Sequence, residues 1–337
     1  VRRVLPGRIG LALGSGAARG FAHVGVLRGL EAAGIVPDVV AGVSAGAVVG
    51  AVHAAGSLDA FEHWARGLDR RQVLALLDVS LSGGALRGRR MIDQVGTFLP
   101  DDATIEGLPR PFAAIATDLE NGREVWLQHG PLLEAIHASC ALPGVVSPVR
   151  VDGRWLVDGG IVNPVPVALC RALGAESVIA VDLNAALLTR RFRGESDRAA
   201  APPDERGDGG HGNGHGHGSP WAFQNAWSEL RRRFVGSEPA KGGPPSPGLY
   251  DVLNNTLEIM QVRITRSRMA GDPPELLITP RLPDFALLDL YRASEAIEEG
   301  RRATERALAT LAAREPEREE EEEVQDDSES AAEGAKI

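Results

Sequence analysis

Cysteine, aromatic residues and long apolar runs are all scarce in this chain. Its two cysteines, Cys140 and Cys170, supply no disulfide framework and fit a reducing compartment, so a cytoplasmic location is expected. Aromatics are 4% of the residues, so the core must be built mainly from Ala, Val, Leu and Ile. The least polar stretch, residues 39–56, is broken by glycine and carries Ser44 and His53, too weakly hydrophobic for a membrane span. No apolar segment followed by a small-residue cleavage site stands near the N-terminus, so a secretory leader is not expected. A clustered basic face is also missing, which argues against nucleic acid as a partner. Of the net charge of −10, all but about one unit lies in residues 315–337, where eleven acids face only Arg318 and Lys336.

What is present reads as one large α/β unit with appendages. The chain has 337 residues and an ordinary apolar fraction of 43%, enough for a sizeable core. "RIGLAL" at residues 8–13 reads as a buried strand, and "GSGAARG" (14–20) as a glycine loop. Val24, Leu27 and Leu30 then fall at helical spacing, with Gly34 as a stop. "DVVAGV" (38–43) is the next strand, and a helix is expected from Ser44 to Gly56. Strand–loop–helix, twice, implies a parallel sheet covered by helices. "PFAAIATDL" and "REVWLQ" form a hairpin around Asn121-Gly122, and "VVSPVRV" and "RWLV" another around Asp152-Gly153. "LLEAIHASCAL" is expected to be a helix ended by Pro143, and "SVIAVDL" a buried strand.

Residues 186–248 have a different composition. Pro202-Pro203, "GDGGHGNGHGHGSP" and "KGGPPSPG" cannot bury enough surface to offset their ordering entropy, so a largely disordered insertion is expected. The predicted organisation is therefore 1–185, the insertion 186–248, a return at 249–314, and a disordered acidic tail at 315–337. The return comprises a long helix, a strand "ELLIT" and a last helix from Phe285 to Ala313.

Three short segments carry the chemistry. Gly42-Val43-Ser44-Ala45-Gly46 places a serine between glycines where a strand turns into a helix, the pattern of a nucleophile elbow. The same letters also suit a serine that merely caps a core helix. The loop 14–20 fits a dinucleotide site poorly, because Arg19 stands where the third glycine belongs. No Gly-Lys-Ser/Thr follows, so a P-loop fails too. An oxyanion hole built from its bare N–H groups remains, beside a plain turn as the alternative. Asp158 closes a strand, followed by Gly159 and Gly160; alone, that is an Asp-Gly turn as readily as a base. None of the eight histidines stands in a late loop of the kind that supplies the base in Ser–Asp–His hydrolases.

Taken together, these segments resemble the patatin-like phospholipases, in the bacterial branch related to the neuropathy target esterase domain. "LGSGAARGFAHVGVLRGLEAAGI" resembles that family's oxyanion-hole segment, "GVSAG" its elbow, and "DGG", continuing as "DGGIVNPVPV", its Asp-Gly-Gly/Ala motif. The resemblance covers about residues 8–185 and 249–313. It implies a three-layer α/β/α fold with a central, mostly parallel sheet, and a Ser–Asp dyad acting on lipid acyl esters. It makes Ser44 the nucleophile and Asp158 the proton acceptor. The N–H groups of Gly16, Ala17 and Ala18 become the oxyanion hole, supported by Arg19. Gly42, Gly46, Gly159 and Gly160 are motif glycines. Many relatives carry consecutive glycines where this chain has Ser15 and Ala17; donation is through backbone, so Ala17 can serve where its φ/ψ permits, and its methyl would narrow the site. No cofactor and no metal is implied.

A free carboxylate, with a pKa of about 4, is a weak base for a hydroxyl. Asp158 is therefore expected to be buried, with few donors besides Ser44. The expected partner is a phospholipid or lysophospholipid; a thioesterase or general carboxylesterase would use the same dyad, and a silent lipid-binding scaffold would need neither group. Phe223, Trp227, Leu230 and Phe234 fall at helical spacing beside Arg231–Arg233, so residues 221–234 suit either packing on the body or peripheral contact with a membrane. His211, His215 and His217 read as passengers of a glycine linker.

Overall fold

The computed structural model describes residues 5–77, 87–185 and 249–313. The expected insertion, its 221–234 stripe, the three linker histidines and the acidic tail lie outside the described residues. The chain runs through β1 (Ile9–Leu13), α1 (Ala22–Ala32), β2 (Val39–Val43) and α2 (Ala45–Ala54). Three short helices follow, α3 (Leu58–Arg66), α4 (Arg70–Leu76) and α5 (Arg89–Gly96). Then come β3 (Phe112–Asp118), β4 (Glu124–Leu127), α6 (Leu132–Ser139), β5 (Val149–Val151), β6 (Arg154–Asp158), α7 (Val167–Ala172) and β7 (Ser177–Val181). After the undescribed stretch come α8 (Leu249–Gly271), β8 (Leu276–Ile278) and α9 (Ala293–Ala313).

One sheet runs in the order β5-β6-β3-β2-β1-β7-β8, with β4 also on β3. β1 pairs in parallel with β2 and β7, β2 with β3, and β7 with β8. The β3–β4, β3–β6 and β5–β6 pairs are antiparallel. This is the mostly parallel α/β sheet that the strand–loop–helix pattern predicts.

Alternation along the central strands sorts side chains into two cores, as a strand buried on both faces requires. Leu11, Leu13 and Val40 join α1, α2 and α9 on one side. Ala12, Val39, Ala41 and Val43 meet Val167, Leu169 and Cys170 of α7 on the other, with Met269 of α8 packed against them. Three layers result. β8 zips onto β7, and α9 lies along α1, so the segment after residue 248 completes the body that begins at β1.

The hairpin tip between β5 and β6 has two residues, since Val151 pairs with Arg154. Asp152 and Gly153 both have positive φ, 47° and 80°, the conformation Asp-Gly supplies in tight hairpins. Three boundaries differ from expectation. α2 starts one residue after Ser44. α6 stops at Ser139, before Pro143 can act. α9 begins at Ala293 rather than Phe285, because Asp289 accepts from the Ala286 N–H and Arg292 donates to the Asp284 carbonyl. Such bonds compete with a helical ladder.

Candidate active site

β2 and β6 share one edge of β3. Ala114 and Ile115 pair with both β2 and β4, and Ala116 and Thr117 with both β4 and β6. β4 therefore takes one edge, and β2 and β6 lie end to end along the other. β2 climbs to Val43, opposite Ile115; β6 descends in the opposite sense to Asp158, opposite Ala116. Ser44 and Asp158 stand where the two tips meet.

Ser44 has φ 55° and ψ −122°, a strained conformation for a residue with a side chain. Its neighbours explain why glycine flanks it. A Cβ on Gly42 would lie 2.4 Å from the Gly46 carbonyl oxygen, and one on Gly46 2.1 Å from the Leu13 carbonyl oxygen. The Ser44 N–H donates to Ser139 Oγ at 2.9 Å. Its hydroxyl donates to Asp158 Oδ2 at 2.6 Å.

Asp158 is 2% exposed. Its other oxygen, Oδ1, accepts from the Gly160 N–H at 2.7 Å. Thr117 Oγ1 donates to the Asp158 carbonyl at 2.8 Å and holds the backbone. Burial pushes the Asp158 carboxyl up to about 6, and the two hydrogen bonds only partly oppose it. A carboxylate with that pKa is a better proton acceptor than a solvated one, and its oxygen rests on the hydroxyl it would deprotonate.

The glycine loop sits beside this pair. Ala17, Ala18 and Ser44 line the same cavity. Residues Ala17–Phe21 form a 3-10 turn, and the first N–H groups of such a turn have no carbonyl within it to donate to. Ala17 has φ 49°, so it takes the left-handed conformation that glycine adopts freely.

Arg19 turns away from the cavity and is 5% exposed. Its guanidinium donates to Asn184 Oδ1 at 2.9 Å and pairs with Glu258 of α8 at 3.3 Å. Asn184 in turn donates to the Ser15 carbonyl and to Gln261 Oε1. Arg19 thus braces the loop against α8. His23, fully buried, donates from Nε2 to the Gly14 carbonyl at 2.8 Å; burial lowers its pKa to about 4, so the ring is neutral.

The cavity, about 190 Å³, is walled by Phe21, Phe61, Trp64, Val48, Val49 and Val95, with Leu76, Leu77, Met91, Leu142 and Leu288 farther out. Phe61 and Trp64 contact each other and both Phe21 and Phe98, with ring centroids from 5.4 to 6.5 Å apart. Of the lining residues, Ser44 alone carries a hydroxyl. The Cys140 thiol lies against Ser44, and burial together with the Asp158 charge raises its pKa, so it stays protonated at neutral pH. Among the described residues no group of three or more His, Cys, Asp or Glu side chains is placed to hold a metal ion, and no helix is long and apolar enough to cross a membrane.

Ser139, Asn184, Glu258 and Gln261 escape sequence reasoning. They sit in no motif, and their roles come from elements far apart in the chain. The cavity wall from α3 to α5 escapes it too, because these short amphipathic helices look like any surface helix.

Comparison with known proteins gives the following. A family model described as "Patatin-like phospholipase" matches residues 11–171. An uncharacterised NTE family protein of Mycobacterium tuberculosis is 41% identical over 96% of this chain and 95% of its own. Patatin-like phospholipase domain-containing protein 6 of Mus musculus is 34% identical over 54% of this chain and 14% of its own. Among solved structures, VipD from Legionella pneumophila aligns with a TM-score of 0.41 at 12% identity, covering 90% of this chain and 66% of that one.

Proposed function

Because the chain belongs to the patatin-like phospholipase family, among its NTE family proteins, we propose that it is a serine hydrolase of phospholipid or lysophospholipid acyl esters, with Ser44 and Asp158 as its dyad. Family membership implies lipid acyl hydrolysis. The observation that carries the finer reading is the 2.6 Å contact between Ser44 Oγ and a carboxylate that is almost fully out of water. The catalytic unit would be residues 1–185 together with 249–314.

The chemistry runs in two halves. Ser44 Oγ bonds to the ester carbonyl carbon as its proton passes to Asp158 Oδ2. The carbonyl oxygen becomes an anion, held by the N–H groups of Gly16, Ala17 and Ala18. When the C–O bond breaks, Asp158 gives the proton to the leaving alcohol. Water then attacks the acyl-serine and loses a proton to Asp158; the fatty acid departs, and Ser44 regains its hydrogen. Because Ser44 N–H is already bound to Ser139, it is not a donor to the oxyanion. The apolar cavity beside Ser44 suits a fatty acyl chain and offers nothing to a charged one.

A fluorophosphonate probe tests the reading. Wild-type protein should label, and Ser44→Ala should not. A wild type that resists the probe would remove the enzyme reading and leave a lipid-binding scaffold. Rates on phospholipid, lysophospholipid, acyl-CoA and nitrophenyl esters would separate a phospholipase from a thioesterase or general carboxylesterase, which the same dyad would serve.

A further inference from the structure

The cavity beside Ser44 reaches the surface past Leu76, Leu77, Met91 and Leu288, which are only partly buried. Around this apolar opening stand exposed cations. Arg87 and Arg89 flank Gly88, a lining residue, and Arg90 precedes Met91, another. The guanidinium of Arg70 lies 4.6 Å over the ring of Tyr291, next to the lining residue Leu290. Arg90 also donates to the Ala75 carbonyl, which ties the start of α5 to the end of α4.

The acids of the same wall are engaged. Asp69 caps α4 through the Gln72 N–H. Asp93 pairs with Arg89 at 3.8 Å. Asp289 accepts from the Ala286 N–H and from Arg292. Over residues 69–77, 87–96 and 289–292 six arginines face three acids, a local positive excess on a chain whose net charge is −10. A greasy opening edged by guanidinium groups matches one environment in both respects: the headgroup boundary of an anionic bilayer, charged outside and apolar within.

We propose that the wall formed by α4, α5 and the turn at Leu290–Arg292 docks on an anionic lipid surface. Docking would hold the cavity mouth against the bilayer, so that an acyl chain passes to Ser44 without crossing water. This rests on the reading of the cavity as an acyl site, but on none of the residues assigned to the chemistry. Because the protein as a whole is acidic, attraction comes from this rim and not from bulk charge.

The test uses full-length Ser44→Ala protein, so that binding is read without turnover. Vesicles are either pure phosphatidylcholine or an equimolar mixture with phosphatidylglycerol. Partitioning should favour the mixed vesicles and fall as salt rises. Arg87→Gln with Arg90→Gln should weaken it about 25-fold, at about fivefold per guanidinium. With Ser44 intact, the same double change should leave hydrolysis of a soluble nitrophenyl ester unaltered, showing that the variant folds. Equal partitioning to both vesicles, or none, overturns the proposal, as does a double variant that binds like the parent. Failure of nitrophenyl ester hydrolysis in the parent would instead strike the catalytic reading and leave the binding result standing.

Discussion

Ser44 and Asp158 lie 114 positions apart in the chain and 2.6 Å apart in the fold. They meet because two strands of opposite sense occupy one edge of β3 and stop at the same level. Asp158 is thereby buried, and its raised pKa follows from that burial.

The rate should report this directly. In the proposed chemistry Asp158 acts as the carboxylate, and burial pushes its pKa up to about 6. On a soluble ester, kcat/KM should rise about tenfold per pH unit below that value and level off above it. A midpoint near that of an ordinary carboxylate would mean that the pocket is wet in solution.

Stability should move the other way. The folded pKa, about 6, lies above the ordinary 3.8, so the folded state binds more protons than the unfolded one between these values. Stability then falls as pH rises through that window and stays lower above it, by about 3 kcal/mol for this group. Asp158→Asn removes the buried charge. It should raise Tm at pH 7 and leave it nearly unchanged at pH 4, while lowering kcat by about a thousandfold. Thermal melts at both pH values, beside the rates, check the pair of effects.

Ala17→Gly should stabilise the fold by about 1 kcal/mol, because glycine takes φ 49° without the Cβ penalty. The methyl it deletes lines the cavity, so acyl-ester turnover should be kept or raised. Denaturant unfolding and a steady-state assay read the two parts; a loss of stability would show that the methyl packs better than it strains.

Ser139→Ala should leave the Ser44 N–H without its acceptor in a site where Ser139 is fully buried. A cost of about 1–3 kcal/mol is expected. The strained elbow should also loosen, so kcat should drop while KM for a soluble ester holds. A parallel fall in stability with kcat intact would make Ser139 structural only.

Much of the local geometry around this candidate site is legible in the sequence, for local reasons. The elbow, the Asp-Gly-Gly turn and both hairpins are written in residues a few positions apart, where glycine and proline chemistry is direct. The brace around Arg19 was not legible. It gathers Ser15, Asn184, Glu258 and Gln261 from segments separated by up to 246 positions, and no local pattern marks any of them. Ser139 was hidden likewise, since a serine at a helix end usually serves the helix. Apolar spacing extends the last helix back to Phe285, because it does not see the side-chain bonds of Asp289 and Arg292.

The two-residue turn at Asp152-Gly153 has a reach its position hides. A hairpin tip is ordinarily where a chain accepts an extra residue most readily. Here the tip sets how far β6 descends and which way each of its side chains points. One added residue would shift the strand by about 3.3 Å and swap its faces, aiming the acid away from the serine while leaving both intact. The Ser44–Asp158 contact is thus indexed from outside, by a turn whose length, more than its composition, decides whether the two side chains meet.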